Sequence, residues 1–338
     1  MMKELSIALL ALTSIAVFAE TKRVCSPDGK MQVSVIAENG TLKYQVEYGG
    51  KEMIAPSSLG LKTDMGDYTR NLTPVKWNES KIDETYTMTR TKASKVNYVA
   101  NALAVELKAE GCPYPMTVVL QVSNNNIAYK YLLGGSDNNV NDEPRRATIF
   151  SEASSFRFPD KTTTFLCPQI GGNHQGWMST KPSYEEEYRA NAPMAEKSRF
   201  GFGYTFPCLF KVGEDGWVLV SETGVGSNYC GSHLSDYDAS RGYTVAYPSH
   251  EEYHGLGSNA PAITLPGETP WRTITVGADL KPIVETTISY DVVKPMYEPR
   301  EDYKAGRYTW SWLSWQDKSI NYADQVKFID TAAEMGYE

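Results

Sequence analysis

The chain lacks the residue spacings that mark a metal, redox or nucleotide site. Its five cysteines form no CxxC pair and no metal-ligand spacing with the four histidines, which argues against zinc and redox roles. It contains no Walker loop, no glycine-rich turn between a strand and a helix, and no G-x-S-x-G motif. Nucleotide-binding enzymes and serine hydrolases of the α/β type are therefore disfavoured.

Positive charge is also scarce. The 338 residues include 33 basic and 41 acidic side chains, for a net charge of -8, whereas nucleic-acid binding needs basic patches. Aromatic residues are abundant, at 12% of the chain with 22 tyrosines. Aromatic faces suit a neutral substrate such as a sugar, although tyrosine also fills β-strands.

A long apolar run occurs only at the N-terminus, over residues 5–19. It is short for a membrane span, and Val17 and Ala19 fit a small-x-small cleavage site. We therefore expect residues 1–19 to be a signal peptide, with an uncleaved anchor as the alternative. The mature chain is then periplasmic or secreted, without membrane contact.

Alternating apolar and polar residues predict an antiparallel β-sheet over residues 24–135. Asn39 and Gly40 form a strong hairpin signal between two such stretches, and residues 134–205 are expected to be less regular. Further strands are predicted at 85–89, 96–99, 103–107, 116–122, 127–133, 216–222, 243–247, 271–276 and 283–289. Regular short strands separated by turns indicate a β-sandwich.

The C-terminal residues follow a different pattern. Residues 309–315 predict a strand and residues 322–335 a helix, with its start offered by residues 319–321 and Gly336 as its C-terminal cap. A strand followed by a helix is one unit of an α/β domain. We therefore expect this chain to be a fragment of a longer protein.

Three tryptophans, Trp310, Trp312 and Trp315, lie on the predicted strand at 309–315. In a (β/α)8 barrel, binding residues sit at the C-terminal ends of the strands, where Trp315 and Asp317 would lie. A tryptophan there can stack on a sugar ring, or it can simply pack the barrel. Trp312, Trp315 and Asp317 are the candidate substrate-binding residues.

An acidic run, Tyr-Glu-Glu-Glu-Tyr at 184–188, lies in the irregular stretch. It is either a solvated loop or the source of one carboxylate ligand for a hard cation. Calcium takes several oxygen ligands and commonly uses carboxylates, and the spacing alone does not decide between the two interpretations.

Six segments, taken together and in order, carry a family resemblance. They are SPDGKMQVSV (26–35), SSLGLKTDMGDYT (57–69), GYTFPCLFKVGEDGWVLVSETGV (203–225), YCGSHL (229–234), TPWRTITVG (269–277) and GRYTWSWLSWQDKSINYADQVKFIDTAAEMGYE (306–338). In these segments the chain resembles glycoside hydrolase family 97, over essentially its whole mature length.

The resemblance implies a mainly β fold, with an N-terminal β-super-sandwich followed by the truncated start of a catalytic (β/α)8 barrel, its first strand and helix. The implied boundaries are residues 1–19 for the signal peptide, 20–295 for the sandwich, 296–305 for a linker and 306–338 for the start of the barrel.

The resemblance also implies an exo-acting α-glycosidase, either an α-glucosidase or an α-galactosidase, that hydrolyses terminal α-linked sugars of oligosaccharides. Such enzymes use two carboxyl groups, which in this family come from later barrel strands. No catalytic residue is therefore assigned, and the chain by itself is expected to be inactive. A stand-alone carbohydrate-binding or structural β-sandwich is the alternative.

A calcium cofactor is the last implication of the resemblance. In this family one glutamate from a sandwich loop binds the ion, and Glu185, directly after Tyr184, is the best match. The remaining ligands would come from the barrel, so this chain by itself is expected to bind calcium weakly or not at all.

Overall fold

The structure, a computed structural model, describes residues 19–89, 91–134, 145–170, 186–297 and 304–338. It divides into two compact units, Met1–Val293 and Lys294–Glu338. The division lies next to the predicted linker at 296–305, part of which falls outside the described residues. The domain boundaries stay predictions.

The first unit is built mainly from β-strands. In chain order they are β1 (Glu20–Cys25), β2 (Met31–Glu38), β3 (Thr41–Tyr48), β4 (Lys51–Leu59), β5 (Leu61–Thr63), β6 (Gly66–Asp67), β7 (Leu72–Thr87), β8 (Lys95–Ala109), β9 (Met116–Val122), β10 (Asn126–Leu133), β11 (Arg145–Glu152), β12 (Ser155–Phe156), β13 (Thr162–Pro168), β14 (Arg189–Pro193), β15 (Tyr204–Val212), β16 (Gly216–Thr223), β17 (His233–Leu234), β18 (Tyr243–Ala246), β19 (Ala262–Leu265), β20 (Gly267–Glu268) and β21 (Trp271–Gly277).

Helices are few and short in the described residues. They are α1 (Lys281–Glu285), α2 (Ile288–Val292), α3 (Ser311–Trp315) and α4 (Tyr322–Glu334), with 3-10 turns at Glu252–Gly255 and Gln316–Ser319. Within the described ranges, none of these helices is long and apolar enough to cross a bilayer.

The strands form three antiparallel sheets. The first has the order β1-β2-β3-β4, and the third has the order β19-β11-β5-β6. The large second sheet runs β12-β18-β17-β15-β16-β21-β10-β9-β8-β7, and β13, β14 and β20 pair with it off this path. The expected mainly β fold is therefore confirmed.

Local sequence signals explain the hairpins of the first sheet. Asn39 and Gly40 take positive φ values of 50° and 71°, as the two central residues of a tight hairpin turn with the matching twist do. Glu38 then pairs with Thr41 across the turn. Side chains on β2 alternate strictly between buried and partly exposed, because successive residues of a strand point to opposite faces.

The core lies between the first sheet and the large second sheet. Val33 and Val46 from the first sheet belong to the same buried cluster as Val118 and Ile274 from the second. The ring of Tyr44 lies 5.6 Å from a tyrosine ring of the second sheet, centroid to centroid. Two sheets that bury their apolar faces against each other form a sandwich.

Several predicted elements have different bounds in the structure. The separate strands predicted at 96–99 and 103–107 are one continuous strand, β8, paired along its length with β7. The stretch expected to be irregular contains β11 to β14, which the sequence analysis missed. The strand predicted at 283–289 is wrong, because α1 and α2 occupy that region and place Ile288 against Trp271.

The second unit corrects the predicted barrel strand at 309–315. Residues 304–310 have no regular structure and α3 follows them. A barrel strand needs hydrogen bonds from neighbouring strands, and no strand pairs with this segment in the described part of the chain. Its backbone forms local helical bonds instead, so the start of a barrel is not confirmed.

The predicted helix is confirmed as α4, its C-terminal glycine cap is confirmed, and its N-terminal cap lies within the predicted start at 319–321. The side chain of Asn321 accepts a hydrogen bond from the backbone N–H of Asp324, which satisfies one of the free amides at the helix start. Gly336 has a φ of 65°, and Tyr337 donates its backbone N–H to the Ala332 carbonyl at 2.9 Å. This is the glycine-capped ending that the sequence predicted.

Candidate functional site

Arg272 on β21 is the centre of a buried ionic network. Its guanidinium donates to Glu152 on β11 through Nε, at 3.0 Å, and through Nη2, at 2.7 Å. Its Nη1 donates to Glu222 on β16 and, at 2.9 Å, to the hydroxyl of Ser232. Burial alone would lower the pKa of Arg272, but the two carboxylates reverse this effect and raise the pKa well above its usual value.

This network holds strands together and is not suited to glycosidic chemistry. The side chains of Arg272 and Glu152 are 1% and 0% exposed, and that of Glu222 is 12% exposed. A carboxyl group that protonates or attacks a sugar must reach the glycosidic bond. Glu152 and Glu222 are instead occupied by Arg272 and by Ser232, so we assign them a structural role.

A cavity of about 440 Å³ lies beside β17 and the turn that joins it to β18. We call it the 233–252 groove. Its walls include Gln169, Phe202, His233, Asp236, Tyr237 and Arg241. The volume is within the range of small-molecule sites, and the combination of aromatic rings with a few polar groups is typical of them.

Gly203 brings the walls of this groove together. It has a φ of 79°, and a Cβ added there would lie only 1.9 Å from the carbonyl oxygen of Leu234. The backbone of Gly203 also accepts a hydrogen bond from the backbone N–H of Gln169 at 2.9 Å. Any side chain at this position would push β17 away from the end of β13.

Two aspartates shape the turn that lines the groove. Asp236 Oδ1 accepts the backbone N–H of Ser198 at 2.7 Å, which ties the turn to the opposite wall. Asp238 Oδ1 accepts from the hydroxyl of Ser240 and from the backbone N–H groups of Ser240 and Arg241. These hydrogen bonds lower the pKa of Asp238 to about 2, so its carboxylate is ionised at neutral pH.

His233 is buried at the back of the groove and is 8% exposed. Burial lowers the pKa of its imidazole to about 4, against a smaller opposing effect of a hydrogen bond with the Phe202 backbone. Desolvation disfavours the charged form of histidine. The imidazole is therefore neutral at physiological pH and offers a polar surface without charge.

A second cavity of about 400 Å³ lies between β13 and β14, and its walls include Glu187, Arg189, Glu196 and Lys197. Lys197 also lines the 233–252 groove, so the two cavities are neighbours. Glu186 lies three residues before β14. Its backbone oxygen accepts a hydrogen bond from the thiol of Cys167 at 3.5 Å.

The predicted calcium ligand Glu185 lies outside the described residues. Within the described ranges, no group of three or more Asp, Glu, His or Cys side chains could hold a metal ion. Calcium takes six to eight oxygen ligands, so the described residues do not by themselves assemble such a site. The calcium prediction therefore stays a prediction.

The candidate substrate-binding residues lie together in the second unit. Trp312 donates its indole N–H to Asp317 at 2.9 Å, and its ring stacks with that of Trp310 at 6.1 Å between centroids. Trp315 packs edge-on against Phe328 of α4 at 4.9 Å. Trp312 and Trp315 remain 37% and 45% exposed. Their predicted role in sugar binding stays a prediction.

The sequence analysis missed the residues of the 233–252 groove. His233 was one of four scattered histidines, and the turn that follows it reads Ser-Asp-Tyr-Asp-Ala-Ser-Arg-Gly-Tyr at 235–243. A turn rich in Asp, Ser and Gly that also contains tyrosines was the available signal, because loops on a rigid scaffold often bind ligands. No feature of the sequence around Gln169 pointed to a ligand site.

Comparison with curated proteins and solved structures identifies related enzymes. A probable retaining alpha-galactosidase from Streptomyces bingchenggensis (strain BCW-1) is 23% identical over 317 residues, which are 92% of this chain and 44% of that protein. The crystal structure of a beta-arabinopyranosidase is 52% identical with a TM-score of 0.86, over 94% of this chain and 50% of that chain.

A third relative supports the fold alone. A glycoside hydrolase family 97 enzyme from Pseudoalteromonas sp. strain K8, solved as a variant in complex with panose, is 18% identical with a TM-score of 0.74. The match covers 94% of this chain and 46% of that chain. The chain thus spans about half the length of these relatives.

The family match covers most of the first unit. The model described as glycosyl-hydrolase 97 N-terminal matches residues 24–295, which contain all but the first of the strands and both cavities. The residues that carried the resemblance in the sequence lie largely in this range. The chain therefore belongs to the glycosyl-hydrolase 97 N-terminal family.

Proposed function

We propose that this chain is the N-terminal β-sandwich part of an exo-acting glycoside hydrolase for sugars of the galacto and arabino configuration. One observation carries the proposal: the 52% identity to a beta-arabinopyranosidase over 94% of the chain. The relatives in general are glycoside hydrolases. The preferred substrate is a terminal β-L-arabinopyranoside or α-D-galactoside of an oligosaccharide.

Stereochemistry makes the two named relatives consistent with each other. A β-L-arabinopyranoside has the same configuration at C1 to C4 as an α-D-galactoside, and it lacks only the hydroxymethyl group on C5. A site that reads the axial hydroxyl at C4 therefore suits both sugars. Of the two activities expected from the sequence, this favours α-galactosidase-type specificity over α-glucosidase. The panose-bound relative is too distant, at 18% identity, to argue for glucose.

The catalytic carboxyl groups are proposed to lie outside this chain. Hydrolysis of a glycoside needs a carboxyl pair held about 5–5.5 Å apart for retention, or about 6.5–9.5 Å apart for inversion. Glu152 and Glu222 are held by Arg272 and do not supply such a pair. We expect retention of configuration, in line with the named α-galactosidase, and no turnover by this chain alone.

Two further expectations belong to this proposal. Glu185 contributes one carboxylate to a calcium site that the rest of the enzyme completes. Residues 1–19 are removed on export, and the enzyme acts on oligosaccharides in the periplasm or outside the cell. Export would also fit a substrate that is too large and polar to cross a membrane unaided.

The test compares the full-length gene product with residues 20–338. Release of 4-nitrophenol is measured from the β-L-arabinopyranoside, the α-D-galactopyranoside and the α-D-glucopyranoside. We expect the full-length protein to prefer the first two over the third by at least about a hundredfold, because a site that hydrogen-bonds one hydroxyl rejects an analogue that misplaces it. Residues 20–338 should release none.

Three results would overturn the proposal. The first is a preference for the glucoside, and the second is turnover by residues 20–338 alone. If the longest polypeptide that the gene encodes binds sugars but hydrolyses none of the three substrates, the stand-alone carbohydrate-binding module becomes the better interpretation.

A further inference from the structure

The 233–252 groove contains polar atoms that the fold does not use. Gln169 is 5% exposed, and its side chain makes only one long contact in the described part of the chain, from the hydroxyl of Thr205 at 3.4 Å. Gln169 lines the groove, and its amide nitrogen takes no partner among the described residues. An amide N–H that reaches the groove can donate a hydrogen bond to a ligand there.

Acceptors face the same space. The Oδ1 atoms of Asp236 and Asp238 are used by the backbone of the turn, and the Oδ2 atoms take no hydrogen bond from the described residues. An ionised carboxylate has two oxygens and accepts several hydrogen bonds. The second oxygens are therefore available to the hydroxyl groups of a ligand.

The groove carries charges of both signs. Its walls contain two basic residues, Lys197 and Arg241, and three acidic residues, Asp236, Asp238 and Glu252. A phosphate or a polyanion would meet the carboxylates, and a divalent cation would meet the basic side chains. Mixed charge with spare donors and acceptors suits a neutral ligand that carries many hydroxyl groups.

Aromatic rings provide the remaining wall. Phe202, Tyr237 and Tyr247 line the groove and are each partly exposed. Tyr237 is supported from behind by Tyr243, with 5.5 Å between ring centroids, so its ring is held in place. An aromatic ring with an apolar face and a polar edge suits the C–H face of a sugar.

We propose that the 233–252 groove is a binding site for a neutral pyranose, formed by residues of the first unit alone. Gln169 and His233 hydrogen-bond the sugar from below, the Asp236 and Asp238 carboxylates accept its hydroxyls, and Tyr237 packs against the ring. The site goes beyond the proposed hydrolase function, because it needs no catalytic carboxylate and is present in residues 20–338.

The experiment is a binding titration that involves no turnover. Residues 20–338 are titrated with methyl β-L-arabinopyranoside, methyl α-D-galactopyranoside and methyl α-D-glucopyranoside, and binding is followed by ligand-observed NMR and calorimetry. We expect saturable binding in the millimolar range for at least one glycoside, as befits a small ligand with few buried contacts. No binding by the unmodified chain would overturn the proposal.

Variants locate the site. Gln169→Met keeps the length of the side chain and removes its amide, so it should weaken binding about tenfold, as the loss of one hydrogen bond to a buried group does. The matched control is Gln45→Met on the exposed surface of β3, which should bind like the parent. Equal binding by Gln169→Met and Gln45→Met would place the sugar elsewhere and contradict the proposal.

The variant Arg241→Ala tests binding without disturbing the fold, because the Arg241 side chain is 68% exposed. The melting temperature of this variant should match that of the parent, and its affinity for the glycoside should fall severalfold. Tyr237→Ala should abolish the binding, whereas Tyr290→Ala, at a 50% exposed tyrosine of α2, should leave it intact. Unchanged affinity in both Arg241→Ala and Tyr237→Ala would overturn the assignment. Failure here leaves the proposed hydrolase untouched, since that is measured by turnover of the full-length protein.

Discussion

Arg272 and Glu152 form a bidentate ion pair in the interior of the sandwich, although they are 120 residues apart in the chain. The pair joins β21 of the large sheet to β11 of the third sheet, and neither side chain is more than 1% exposed. Paired charges in a dry interior hold a specific geometry rather than add much net stability. Glu222 and Ser232 complete the hydrogen bonding of the guanidinium.

Arg272→Met should be among the most destabilising single changes in the first unit. It leaves Glu152 and Glu222 without their cation, and breaking a buried pair from one side costs about 3–5 kcal/mol. Urea unfolding followed by circular dichroism measures the loss. The control is Arg241→Met at an exposed arginine, which should change the free energy of unfolding by less than about 0.5 kcal/mol.

The double variant Glu152→Gln with Arg272→Met separates charge from packing. It removes one buried negative charge along with the positive one, so it should recover part of the stability that Arg272→Met loses. If the double variant is less stable than Arg272→Met alone, the carboxylate is stabilised by something other than the guanidinium.

His233 should make the stability of the chain depend on pH. Its pKa is about 4 in the folded chain, against about 6.5 in an unfolded one. As the pH falls from 6.5 to 4, the unfolded chain takes up a proton and the folded chain does not. The contribution of neutral His233 to the free energy of unfolding is therefore complete above pH 6.5 and is lost as the pH falls towards 4. The loss is on the order of 3 kcal/mol.

The variant His233→Gln isolates this effect, because a glutamine does not titrate. Free energies of unfolding are compared for the parent and the variant at pH 7.5, 6 and 5. The advantage of the parent should shrink steadily as the solution becomes more acidic. The control, His250→Gln at an exposed position, should follow the parent throughout. A constant difference between parent and His233→Gln would contradict the buried neutral histidine.

Calcium should stabilise the full-length protein through Glu185. Glu185→Gln removes one negative ligand and should weaken calcium binding at least about tenfold, seen as a smaller rise in melting temperature when calcium is added. Glu187→Gln, at an exposed residue two positions along, is the matched control. If calcium raises the melting temperatures of the two variants equally, Glu185 is not a calcium ligand.

Helix α4 should exchange its amide hydrogens quickly in residues 20–338. None of its residues is buried, and isolated helices of this length are marginal in water. Hydrogen exchange read by mass spectrometry should show weak protection at 326–333 and strong protection in β9 and β10. Asn321→Ala should weaken it further, because loss of the cap costs about 1 kcal/mol. Strong protection at 326–333 would show that α4 is stably packed.

Much of the fold was predictable because its signals are local. The hairpin at Asn39 and Gly40 and the caps of α4 at Asn321 and Gly336 each depend on the conformation of a few adjacent residues. The merging of the predicted strands at 96–99 and 103–107 into β8 was not predictable in the same way. A strand continues as long as its neighbour continues, and β7 runs alongside it from end to end.

The candidate sites also differ in whether their residues are close together in the sequence. Trp312, Trp315 and Asp317 are close in sequence, so their proximity in the second unit was predictable, although a helix rather than a strand holds them. The 233–252 groove unites Gln169, Phe202 and His233 from three separate segments. Only the pairing of β13, β15 and β17 brings these segments into contact.

The amino-acid sequence by itself determined the mainly β class, the hairpin turns, the helix caps and the family of this protein. These depend on residue order over short distances, on hydrophobic period and on the motifs at 26–35 and 203–234. Tertiary structure alone decided the partners of Arg272 and the walls of the 233–252 groove. Both depend on which strands become neighbours, and that is settled by burying the apolar faces of two sheets together.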